Sequence, residues 1–233
     1  MDADDKPIGR ILSRREVLAA LGLGGLLQGQ RTPAQAGSPA LPACVVRPAL
    51  TEGPYFVDVR LNRSDIRSDP STGLVKPGVP LSLRFVVSRV SAAGCAPLPG
   101  AMVDIWQCDA QGLYSGVLDR YGDTRGERWL RGYQLTDAQG AAQFTTIYPG
   151  WYPGRTVHIH FKIRYQNRDF TSQLFFDDAL SDRIFANPPY AKAGTRTRNA
   201  NDAIFRNGGR QLLLNLAPEG AGYAATFDIG LNF

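Results

Sequence analysis

The sequence predicts an all-β fold: an antiparallel β-sandwich core with long loops and few short helices. Short runs of alternating apolar and polar residues recur, with turn signals about every ten residues. No long amphipathic helical pattern interrupts them. Glycine (25) and proline (16) are plentiful, so turns should be frequent.

Residues 37–50 read as an extended lead-in rich in Pro and Ala. Thr51-Glu52-Gly53-Pro54-Tyr55-Phe56 turns at Gly53-Pro54, and its aromatic pair is suited to a core or a pocket. Leu81–Val87 alternates like a half-buried strand, and Ala101–Gln107 forms a second strand after two turns. Asp109–Gly116 leaves that strand as a loop carrying Tyr114, followed by a charged loop, Asp119–Arg131. Arg131–Thr136, the turn Asp137–Gly140 and Ala141–Ile147 read as a hairpin. Val157 to about Arg164 is a strand, and Phe170–Phe176 the next. Asp177–Leu180 and Asn201–Phe205 are placed to cap short helices. Gln211–Leu216 and Tyr223–Leu231 are the expected closing strands. Residues 37–233 are expected to form one domain.

Residues 1–36 read as a targeting segment. Arg14-Arg15 precedes the apolar run Val17–Leu27, and Ala34-Gln35-Ala36 offers a small-residue cleavage site. The run is too short and glycine-rich to span a bilayer stably. The pattern resembles a twin-arginine signal, so the chain is expected to be exported to a periplasmic or extracellular space. An oxidising compartment would favour a disulfide. Cys95 and Cys108 flank the strand 101–107, too far apart to bridge if that strand is straight, so Cys44–Cys108 is the expected pair. The formal charge is +5, and the basic residues are scattered and never form a run of five or six, which argues against nucleic-acid binding.

The chemistry concentrates in Tyr148–Phe161. This stretch holds both histidines of the chain, His158 and His160, at a spacing of two on a strand. Such side chains share one face, about 7 Å apart along the chain. They could converge on a metal, or simply pack. No thiolate cluster or nearby carboxylate supports a structural zinc site. The remaining ligand candidates are Tyr114, Tyr152 and Tyr148, on flanking loops. A free phenol has a pKa near ~10, so a phenolate ligand needs a strongly acidic ion; Fe(III) meets that requirement and Cu(II) can. Arg155 adds a permanent charge beside the site.

Gly150-Trp151-Tyr152-Pro153, followed by Arg155-Thr156-Val157-His158-Ile159-His160-Phe161, resembles the signature of the intradiol ring-cleavage dioxygenases. Three further segments fall in that family's order: Thr51–Tyr55, Val103–Tyr114 and Ser172–Phe176. The resemblance covers roughly residues 45–230. It implies Fe(III), held by Tyr114, Tyr152, His158 and His160, and insertion of both atoms of O2 into a catecholic ring to give a cis,cis-muconate-type product. It implies that Tyr152 leaves the metal and acts as a base when substrate arrives. Arg155 and Gln173 match residues beside the substrate ring, and Gly53, Pro54 and Tyr55 match a pocket wall. Trp151 could line the pocket or cover the iron; Trp106 reads as core, and Asp104 as structural.

The chain departs from better-known cytoplasmic members in its export signal and in lacking a long helical N-terminal region. It looks closer to an exported single-chain branch. Protocatechuate, catechol, hydroxyquinol and larger aromatics all remain open as substrates, as does a homo-oligomeric assembly. A Tyr/His copper oxidase and an exported non-catalytic β-sandwich binding module are the alternative readings.

Overall fold

The computed structural model describes residues 45–233 apart from Ala93. The expected targeting segment and Cys44 lie outside the described residues. The strands are β1 (Pro80–Ser91), β2 (Gly94–Pro97), β3 (Met102–Trp106), β4 (Leu118–Asp119), β5 (Gly122–Asp123), β6 (Arg131–Leu135), β7 (Ala141–Ile147), β8 (His158–Tyr165), β9 (Arg168–Phe175), β10 (Ala217–Glu219) and β11 (Gly222–Leu231). Among the described residues two short α-helices, α1 (Asp178–Phe185) and α2 (Ala203–Arg206), start at capping residues Asp177 and Asp202.

Two sheets make the sandwich. One runs β10-β11-β1, and the far edge of β1 is shared by β2 and β7. The other runs β6-β3-β8-β9 with antiparallel neighbours throughout. β1 alternates as expected, burying Leu81, Leu83, Phe85 and Val87. The facing sheet contributes Val103, Ile105, Ile159, Phe161 and Ile163. The Phe161 ring centroid lies 5.4 Å from that of Phe85 and 5.5 Å from that of Phe227, which locks the sheets together at their centre.

Several local expectations need correction. β1 and β11 pair in parallel, so the larger sheet is mixed. β6 and β7 do not form a hairpin: β6 pairs with β3 and β7 with β1, so the turn between them crosses from one sheet to the other. In that turn Asp137 accepts from the N–H groups of Gln139 and Ala141, and a Cβ on Gly140 would fall 2.3 Å from the Val87 carbonyl oxygen. Residues 211–216 are not a strand. A 3₁₀ turn, Gly209–Leu212, opens the segment, and Leu212 and Leu214 are buried while Leu213 is exposed. That alternation mimics a strand, but the segment makes only an isolated bridge, Leu213 to Phe175. The hairpin β4–β5 starts one residue before the expected charged loop and occupies its first part.

Cys108 is a buried free thiol, its Sγ 3.5 Å from the Gly150 carbonyl oxygen. The expected Cys44–Cys108 bridge is therefore corrected. Cys95 is disulfide-bonded, with its partner outside the described residues. Among the described residues no helix is long and apolar enough to cross a membrane.

Candidate metal centre and substrate pocket

β8 is buried on both faces. Ile159, Phe161 and Ile163 face the sandwich core, so His158, His160 and Lys162 take the opposite face. The two imidazole Nε2 atoms lie 3.0 Å apart. The Tyr152 hydroxyl lies 3.1 Å and the Tyr114 hydroxyl 3.4 Å from His158 Nε2. Two imidazoles and two phenols thus converge on one point.

Backbone contact between two loops positions the tyrosines. After β3, the Asp109 carboxylate accepts from the N–H groups of Gln111 and Leu113 and shapes the loop that ends at Tyr114. Gly112 has a φ of 89°, and a Cβ there would fall 2.2 Å from the Trp151 carbonyl oxygen. A Cβ on Gly150 would fall 2.5 Å from the carbonyl oxygens of Asp109 and Ala110. Only glycines let the two tyrosine-bearing loops press together this closely.

The rings are held from several sides. The Trp106 indole stacks on His160 at a centroid distance of 5.0 Å and 7°. Gly53, with a φ of 70°, lies on the same imidazole: a Cβ there would sit 3.3 Å from His160 Cε1. His158 Nδ1 donates to the Thr156 carbonyl at 2.6 Å. The lone pair of the neutral ring is therefore on Nε2, turned toward the cluster. Tyr55 stacks on Tyr114 at 4.4 Å and 18°. Pro54 is exposed at the rim.

Arg155 and Gln173 flank the cluster. Gln173 sits opposite His160 on β9. Arg155 Nη2 donates to Gln173 Oε1 at 2.5 Å, and Gln173 Nε2 donates to the Thr51 carbonyl at 2.9 Å.

The electrostatics suit a metal. Burial, with Arg155 adding to it, pushes both histidines well below their usual range, so the imidazoles are neutral and keep their lone pairs. Burial pushes the Tyr114 and Tyr152 phenols up. Among the described residues no three His, Cys, Asp or Glu side chains gather. A metal here would have to draw on phenol oxygens, and only a strongly Lewis-acidic ion displaces protons held that firmly.

Two sequence-nominated residues are not brought to this cluster. Tyr148 is buried in the main core, its hydroxyl 2.7 Å from Ser181 Oγ. Trp151 faces away from its neighbour Tyr152; its ring lies beneath Lys192 Nζ at 4.3 Å and lines a surface depression with Phe185 and Arg196. Two residues were missed. Arg131, only 1% exposed, donates to the carbonyls of Tyr55 and Ser115 and so ties the Tyr55 wall to the Tyr114 loop. Burial pushes its guanidinium down to about 10. Asp202 accepts from Arg155 Nε at 2.9 Å. The sequence marks Asp202 only as part of a helix cap and Arg131 only as the start of a strand, and nothing local ties either to this site.

A family model described as "Dioxygenase" matches residues 51–231. The protocatechuate 3,4-dioxygenase beta chain of Burkholderia cepacia is 35% identical over 177 residues, 70% of this chain and 70% of that protein. The chain belongs to the intradiol ring-cleavage dioxygenase family. It is a dioxygenase. A solved intradiol ring-cleavage dioxygenase from Tetranychus urticae matches it with a TM-score of 0.71 at 31% identity, covering 81% of this chain and 95% of that one. The dioxygenase domain of a carbohydrate-binding fusion protein from Streptomyces sp. SirexAA-E matches with a TM-score of 0.60 at 34% identity, covering 80% and 98%.

Proposed function

We propose that this dioxygenase uses Fe(III), held by Tyr114, Tyr152, His158 and His160, to cleave a catechol-type ring between its two hydroxyl-bearing carbons. The observation that carries the reading is the convergence of two neutral imidazoles and two phenols without a carboxylate, in a chain of this family. Fe(III) would supply Lewis acidity and a template that binds both substrate oxygens.

The protein's own residues then divide the work. Tyr114 is 3% exposed and pinned beneath Tyr55. Tyr152 is less buried and is followed by the exposed turn residues Pro153 and Gly154, so it is the phenol free to swing away. Held by the ion as a phenolate, its oxygen would accept a proton from an incoming substrate hydroxyl and leave as the neutral phenol. Arg155 holds a fixed positive charge beside the ring and stabilises negative charge that develops there. Gln173 anchors Arg155 and, with Gly53, Pro54 and Tyr55, borders the space the ring enters. Trp151 has no direct role in this scheme. The segment 1–36 would direct export of the catalytic domain, 37–233, through a twin-arginine-type route.

Iron reconstitution followed by visible spectroscopy tests the ligand set. The expected result is stoichiometric iron with an intense red-brown phenolate-to-iron band, lost in part in Tyr114→Phe. Stoichiometric iron without that band would overturn it.

A further inference from the structure

We propose that Asp202 is a positioning residue that clamps Arg155 and the peptide supporting His158 in one geometry. This rests on the reading of Arg155 as the group that stabilises the reacting ring. Asp202 is 1% exposed. Its Oδ2 accepts from Arg155 Nε at 2.9 Å and from the Thr156 N–H at 2.8 Å. Its Oδ1 accepts from the N–H groups of Ile204 at 2.7 Å and Phe205 at 3.1 Å, at the start of α2. The carboxylate is thus fixed by its own helix, and what it grips is fixed in turn.

Two lines run from it. Through the guanidinium it reaches Gln173, and through Gln173 the Thr51 carbonyl in the segment that leads to Gly53. With Nε held by Asp202 and Nη2 by Gln173, the guanidinium plane cannot rotate. Through the backbone it reaches Thr156, whose carbonyl receives the His158 Nδ1 proton. Thr156 is braced again by its hydroxyl, 2.6 Å from Asn199 Oδ1. Asp202 therefore aims the charge and the imidazole together. Such pre-placed groups act only when aimed, and a misplacement of about 1 Å can cost about 100-fold in rate.

A double-mutant cycle on the iron-loaded enzyme tests this, using Asp202→Asn, Arg155→Ala and the pair. The readouts are kcat and KM on catechol under air, catechol affinity without oxygen, and the unfolding temperature. Asp202→Asn should lower kcat at least about tenfold while keeping iron and the visible band. In the Arg155→Ala background it should cost several-fold less than in the wild type, because the guanidinium line is already gone and only the line through Thr156 to His158 remains. Its effect on anaerobic catechol affinity should likewise shrink in that background. Equal losses in both backgrounds, or an unchanged kcat, would overturn the proposal. If Asp202→Asn does not fold, Asp202→Glu, which keeps the charge but displaces it, enters the same cycle with the same expectation. An inactive wild-type enzyme would instead count against the function proposed above.

Discussion

β8 has two faces of opposite character. Its inner face, Ile159, Phe161 and Ile163, belongs to the main hydrophobic core, where Phe161 packs against Phe85, Phe170 and Phe227. Its outer face, His158, His160 and Lys162, is equally buried but held by polar contacts and ring stacking: the Thr156 carbonyl, the Trp106 face, and an ion pair from Lys162 to Glu52. Packing tolerates little change of volume, whereas a polar face tolerates little change of partner. One strand therefore carries core packing on one side and the candidate metal ligands on the other. Substitutions one residue apart should fail in different ways.

The largest effect is expected on the outer face. His160→Ala should weaken iron binding by more than about 100-fold and remove the visible band, measured by metal analysis and spectroscopy. Retention of stoichiometric iron and full activity would show that the outer face does not hold the metal. On the inner face, Phe161→Ala should destabilise the metal-free protein by about 3–5 kcal/mol in urea unfolding. The fraction that remains folded should still bind iron.

A third test separates the faces by pH. Burial pushes the Asp202 carboxyl up, but Arg155 and the Thr156 N–H outweigh it and hold the carboxyl below its ordinary value of 3.8. The folded state then binds fewer protons than the unfolded state just below that value. The contribution is complete above about 3.8 and fades as pH falls through the folded value. Asp202→Asn should cost roughly 2 kcal/mol at pH 7, and that gap should narrow in acid. The gap for Phe161→Ala should not change with pH over the same range. The smallest effect is expected for Ile159→Val, about 1 kcal/mol with unaltered iron content.

The strand's division was legible in the sequence because alternation has a period of two and both histidines share one parity. The glycine-turn segments and tyrosines were legible too, through their spacing and family resemblance. What stayed hidden depends on how loops direct side chains and on long-range partners. Trp151 and Tyr152 are neighbours, yet only the tyrosine turns to the histidines. Tyr148 lies on the same stretch but packs with Phe176 in the core. Asp202 follows Arg155 by 47 residues, in a polar segment without periodicity, so nothing local announces their contact. Arg131 opens an ordinary-looking strand, and only the folded loops show its donors reaching Tyr55 and Ser115. Sheet membership was hidden for a similar reason. The Asp137–Gly140 turn looks like a hairpin turn, but the strands on either side find better partners in β3 and β1.

Intradiol cleavage is tested by supplying iron-loaded enzyme with catechol under ¹⁸O₂ and analysing the product by mass spectrometry. The expected result is oxygen uptake equimolar with ring loss and an acyclic cis,cis-muconate carrying both labelled atoms. A ring-cleaved aldehyde, or red-brown iron-loaded enzyme that consumes no oxygen with any of a panel of catechols, would contradict it.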